Sequence, residues 1–99
     1  MFNFWKKIAA GALSLFAGVL TEHRTEWEPA IDAAGVQGVD ALVTAAETAD
    51  EKFGPVATMF NGFLNEYKAE IEAAIPQFEG TLFDKLVGAI KSVAATLSA

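Results

Sequence analysis

Few residues in this chain have the types and spacing for chemistry. The run Glu22-His23-Arg24-Thr25-Glu26 sets His23 and Glu26 one helical turn apart, a spacing that lets both reach one metal ion. A carboxylate-bridged di-iron bundle, however, takes Glu-x-x-His from each of two helices, and this chain has a single histidine. His23 is therefore expected in a solvated polar junction. Glu66, Glu70 and Glu72, with Lys68 among them, place carboxylates four residues apart on one helix. Paired carboxylates do acid-base work when burial in a cleft separates their pKa values, and nothing in the neighbouring residues marks a cleft. They are expected on a solvated face.

The absence of cysteine excludes disulfides, thiolate metal sites, iron-sulfur clusters and a cysteine nucleophile. There is no Gly-rich phosphate loop, no Gly-x-Ser-x-Gly elbow and no acidic calcium loop. The expectation is a non-enzymatic protein with no catalytic, cofactor-binding or metal-binding residues, no cofactor and no small-molecule substrate.

Charge narrows the partners. The net charge is -6, but residues 1–20 hold only Lys6 and Lys7, residues 21–79 hold twelve acids against three bases, and residues 80–99 hold Asp84 against Lys85 and Lys91. Nucleic-acid affinity rests on clustered cations, so no nucleic acid is expected as a partner.

The elements that position these residues read as helices. Apolar residues make up 53% of the chain, with alanine and phenylalanine supplying much of the excess, and no segment alternates with period two. Asp40 is placed to cap a helix carrying Val39, Leu42, Val43, Ala46, Ala49 and Phe53, which Gly54-Pro55 ends. A second stripe runs Val56, Met59, Phe60, Phe63, Tyr67, Ile71 and Ala74, with Asn61-Gly62 read as mid-helix, until Pro76 ends or kinks it. Thr81 with Asp84 caps a last helix with Leu82, Phe83, Leu86, Val87, Ile90, Val93, Ala94 and Leu97 on one side. Upstream, Thr25 with Glu28, or Pro29 at a first helical position, starts a short helix ending near Gly35. The expectation is one all-α domain over residues 1–99, a small helical bundle of about four main helices with short connections. It divides into an apolar N-terminal helix over 1–22, a short helix and connector over 23–38, and a three-helix region over 39–99. Phe53, Phe60, Phe63, Phe78 and Phe83 are expected in the core.

The N-terminal segment is the most distinctive. At 100° per residue, Phe2, Phe4, Trp5, Ile8, Ala12, Leu13, Leu15, Phe16, Val19 and Leu20 fall on one half of a helix. Asn3, Lys6, Lys7, Gly11, Ser14 and Gly18 fall on the other, and its small residues would let another backbone approach. The uninterrupted apolar run, residues 8–20, is short for a span of about 20 residues, and no small-x-small cleavage site supports a signal peptide. Residues 8–20 read as packing surface. Phe2, Phe4 and Trp5 beside Lys6 and Lys7 read as the point of first contact with a partner or lipid.

Two functions fit. One is a structural or adaptor subunit of a larger assembly, a phage or virus particle being an example, in which Phe2, Phe4, Trp5, Ile8, Leu15, Phe16 and Val19 dock on a protein partner or a second copy. The other is a membrane-associated protein, an anchor or a holin-like or pore-forming one, with the helix in the interface and Lys6 and Lys7 at headgroup level. The first places the chain in an assembly such as a virion, the second at a membrane periphery.

Overall fold

A computed structural model describes residues 2–35, 38–45 and 62–98. Six helices lie among these: α1 Phe2–Glu22, α2 Arg24–Ala33, α3 over residues 39–45, α4 over 62–66, α5 Lys68–Ala74 and α6 Leu82–Ser98, with no strand among the described residues. The all-α class stands, with six helices in place of about four. Those parts of the expected helices that fall on residues 46–61, including Phe53, Gly54-Pro55, Met59 and Phe60, lie outside the described residues.

α6 is the axis of the packing, touching α1, α2, α5 and the 3-10 turn Ile75–Gln77. Its 3.6-residue periodicity puts Phe83, Leu86, Ile90, Val93 and Ala94 on the buried side, as the stripe predicts. Its start is the expected cap. The Asp84 amide donates to Thr81 Oγ1 at 3.2 Å, and Asp84 Oδ2 accepts from the Thr81 amide at 3.4 Å, so two otherwise orphan donors are satisfied reciprocally. Pro76 acts as expected too: the α-helical ladder ends at Ala74 and tightens into the turn Ile75–Gln77, after which Phe78 is extended.

α1 ends at Glu22, as the division at residues 22 and 23 expects, while the start of α2 and the break at Tyr67 differ from expectation, and the two junctions share one form. α1 gives way to α2 at the single residue His23, and α4 gives way to α5 at Tyr67, which interrupts the stripe expected to run unbroken to Ala74. His23 (φ -110°, ψ 35°) and Tyr67 (φ -106°, ψ 20°) both sit in the bridge region, where the chain turns without losing its hydrogen bonds. The His23 amide still donates to the Val19 carbonyl, and its own carbonyl accepts from Glu26 and Trp27. Because that backbone relay starts α2, the Thr25-Glu28 cap and the Pro29 start are not used, and Pro29 lies inside the helix. Asp40 likewise lies within α3 and pairs instead with Lys68 Nζ at 2.8 Å, tying α3 to α5. That hydrogen bond is the main cause holding the Lys68 ammonium above its ordinary pKa.

The core is closed at the N-terminal side by Phe16, whose ring meets Trp27 edge to face, centroids 5.9 Å apart and planes at 88°. Leu13, Leu20, Ile31, Leu42, Leu64 and Ile71 are fully buried around them. Of the later phenylalanines, Phe83 is buried, and Phe63 and Phe78 are half-buried against the same core.

Candidate docking face

The residues of α1 that meet the core are Ala9, Ala10, Leu13, Phe16, Ala17 and Leu20. This stripe is rotated from the half-cylinder on which the large apolar side chains cluster. The apolar arc of α1 is therefore wider than the core can cover, and it divides. Phe4 (63% exposed), Trp5 (68%), Ile8 (39%) and Leu15 (63%) are left on the outside, with Ala12 and Val19 half-buried at its edge. Phe16, expected on the contact face, turns inward at 1% exposure, so it belongs to the chain's own core. Ile8 and Leu15, also expected on the contact face, do lie on the open side, so residues 8–20 are packing surface on one side and open surface on the other. Phe2 lies within α1; the described side chains start at Phe4.

Phe4 and Trp5 contact each other edge on, with centroids 6.0 Å apart. Gly11 and Gly18 border the same face, and a Cβ built at either meets no atom within 4 Å. The face is thus apolar, bounded by small residues, and open along the length of α1. Lys7 is exposed at its edge. Lys6 points elsewhere: it lines a cleft of about 400 Å³ with Tyr67, Glu70, Gln77, Ser92 and Thr96, between α5 and α6. Burial, with the Glu66 and Glu70 carboxylates adding to it, holds the Tyr67 phenol above its ordinary pKa. The two lysines expected to act together at a headgroup layer are thereby separated.

The residues weighed for chemistry do not assemble. Glu26, Glu66, Glu70 and Glu72 are exposed, and among the described residues no group of three or more His, Asp or Glu side chains is placed to hold a metal. One cluster was missed in the sequence. Arg24 Nε donates to Glu28 at 2.7 Å, its Nη1 lies 3.1 Å from Asp84 Oδ1, and its guanidinium stands over the Phe83 ring at 5.2 Å. The hydrogen bond to Glu28 is the largest cause raising the Arg24 pKa. For Asp84, partial desolvation pushes the pKa up, but the Thr81 hydrogen bonds and the Arg24 charge outweigh it and hold the carboxyl below its ordinary value. A sequence separation of 60 between Arg24 and Asp84 hid the pair, although Thr81-Asp84 was legible as a cap. The cluster clamps α2 to the start of α6.

α1 is long and apolar enough to cross a membrane by length and composition, yet a third of that stretch is buried in the domain. A span would extract Leu13, Phe16 and Leu20 from the core. Comparison with protein-family models, curated proteins and solved structures returns no match.

Proposed function

We propose that this chain is a non-enzymatic structural or adaptor subunit that docks through the outer face of α1. One observation carries this reading: a single helix anchors the core with Leu13, Phe16 and Leu20 while Phe4 and Leu15 on its other side, and Trp5 on the flank, stay nearly two thirds exposed. Large apolar side chains grouped on a surface mark an interaction site, whereas scattered ones do not. Aromatic residues at the centre of such a patch supply most of the binding energy in protein interfaces. Since the opposite side of the helix is packed, the face is presented without an ordering step, which lowers the entropic cost of docking.

The membrane-associated reading draws on the same face and on Lys7 at its rim. Against it stand the position of Lys6 at the cleft between α5 and α6, away from Lys7, and the acidic character of the rest of the domain, which an anionic membrane surface would repel.

The test is the size of the particle that the chain occupies in its own cells. Tagged wild-type protein should elute in a complex larger than a monomer. A Phe4→Ser, Trp5→Ser, Leu15→Ser variant should elute alone while keeping the thermal stability of the wild type. Wild-type protein that elutes as a monomer would defeat the reading.

A further inference from the structure

Resting on the reading of this face as the docking surface, we propose that its occupant is a second copy of the same chain. The two α1 helices pack antiparallel about a two-fold axis that passes between Gly11 and Ala12.

A two-fold contact uses the same patch on both copies, so the patch must be complementary to its own reversed image. In antiparallel helices, residues whose numbers add to a constant lie at the same height. With the axis between Gly11 and Ala12, residues adding to 23 share a height, which aligns Phe4 with Val19, Ile8 with Leu15 and Gly11 with Ala12. At 100° per residue the members of each pair fall symmetrically on either side of the centre line of the face. At the axis Gly11 meets Gly11 of the second copy and Ala12 meets its Ala12, which lets the backbones approach closely. Ile8 then lies beside Leu15 of the second copy. Further out, Phe4 covers the second copy's Gly18 and Trp5 leans on its Val19. Large side chains thus meet small ones at both ends, and the space open above Gly11 and Gly18 is filled from the other chain.

The area suffices. With an aromatic side chain presenting on the order of 150–250 Å² when fully exposed, the four large exposed residues offer on the order of 500 Å² per copy, or about 1,000 Å² for the pair. That is the lower bound for a specific interface.

Charge sets the direction of pairing. In the antiparallel arrangement Lys7 and Glu22 of the second copy lie on the same flank about 9 Å apart along the axis, whereas the two Lys7 residues are about 13.5 Å apart, at a rise of 1.5 Å per residue. A parallel pair would set Lys7 beside Lys7 and Phe4 beside Phe4, losing both the charge match and the size match. A lipid surface fits less well, because Glu22 lies in line with Phe4 on this face and Lys6 is turned into the cleft.

The experiment uses the purified full-length chain in sedimentation equilibrium, with cross-linking in parallel. Wild type should show a monomer-dimer equilibrium, and Trp5→Ala should weaken it by roughly tenfold or more. Gly18→Leu should abolish the dimer at unchanged or raised thermal stability, since position 18 has free space within its own chain. The chain has no native cysteine, so an Ile8→Cys chain mixed with a Leu15→Cys chain should form a disulfide-linked pair, while either alone should not. Cross-linking of each variant with itself would overturn the antiparallel geometry. A monomer at all concentrations that floats with anionic vesicles would overturn the second copy as occupant and place lipid on the face. A purified monomer that ignores vesicles yet elutes in a large complex from its cells would also overturn it, leaving the docking reading intact. Monomer in both settings would overturn both.

Discussion

Leu15 and Phe16, neighbours in the chain, face opposite worlds: Leu15 is 63% exposed on the outer side of α1 and Phe16 is 1% exposed against Trp27. Truncating a buried phenylalanine removes its transfer energy and leaves a cavity, so Phe16→Ala should cost about 3–5 kcal/mol of folding stability. For a domain of this size that is a large share of the total. Leu15→Ala should change monomer stability by less than about 0.5 kcal/mol. Urea unfolding of both variants at a concentration below that of self-association measures the contrast. Equal losses would mean that the apolar arc of α1 is not divided as described.

A second close relationship fixes the approach to α6. A Cβ built at Gly88 stands 2.7 Å from Phe78 Cδ1, so the ring occupies the place a side chain would take. Gly88→Ala should destabilise by about 1–3 kcal/mol through overpacking, although alanine is the better helix former. In a Phe78→Ala background the same change should become neutral or stabilising. A double-mutant cycle by chemical denaturation reads the coupling directly, and additivity within error would contradict the contact.

The Arg24-Asp84-Thr81 cluster should govern the acid limb of stability. The folded-state pKa of Asp84 is lowered, so between that value and the ordinary carboxylate value the unfolded chain binds more protons than the folded one. The contribution of Asp84 is therefore complete above the ordinary carboxylate pKa and is lost as pH falls through the lowered one. Asp84→Asn should reduce the Tm at neutral pH and flatten its decline as pH falls through and below the ordinary carboxylate range. Arg24→Met should do the same to a smaller extent, because the Thr81 hydrogen bonds remain. Parallel Tm profiles for wild type and Asp84→Asn across that range would exclude the role.

Elements with strong local chemistry were legible in the sequence. The Thr81-Asp84 cap, the stop at Pro76, the α6 stripe and the full length of α1 all follow from side chains within a few residues of one another. The break at Tyr67 and the start of α2 at Arg24 were not, because neither involves a glycine or a capping side chain and neither gives up the surrounding backbone hydrogen bonds. The site was half legible. A helical wheel finds an apolar arc but not which part the core takes, and hydropathy gives weight to Phe4, Trp5 and Leu15 over alanine. Here Ala9, Ala10 and Ala17 of α1 are buried, as are Ala89 and Ala94 of α6. Small side chains allow close helix approach, so α1 turned Ala9, Ala10 and Ala17 inward beside Leu13, Phe16 and Leu20 and left Phe4, Trp5 and Leu15 outside.

Gly11 and Gly18 test whether that outer face is shaped for contact. Both lie in helix interior with no atom within 4 Å of a built Cβ, in contrast to Gly88. Replacing such a glycine with alanine relieves backbone entropy and should stabilise the folded monomer by about 0.5–1 kcal/mol per site. A rise in Tm of several degrees for Gly11→Ala and again for Gly18→Ala, seen by scanning calorimetry, is the expected result. The same added methyl groups keep a partner backbone from closing on the face, so association should weaken as stability rises. A helix serving only its own fold has no use for glycine at these two positions, and variants that gained stability without losing association would remove the case for a contact surface there.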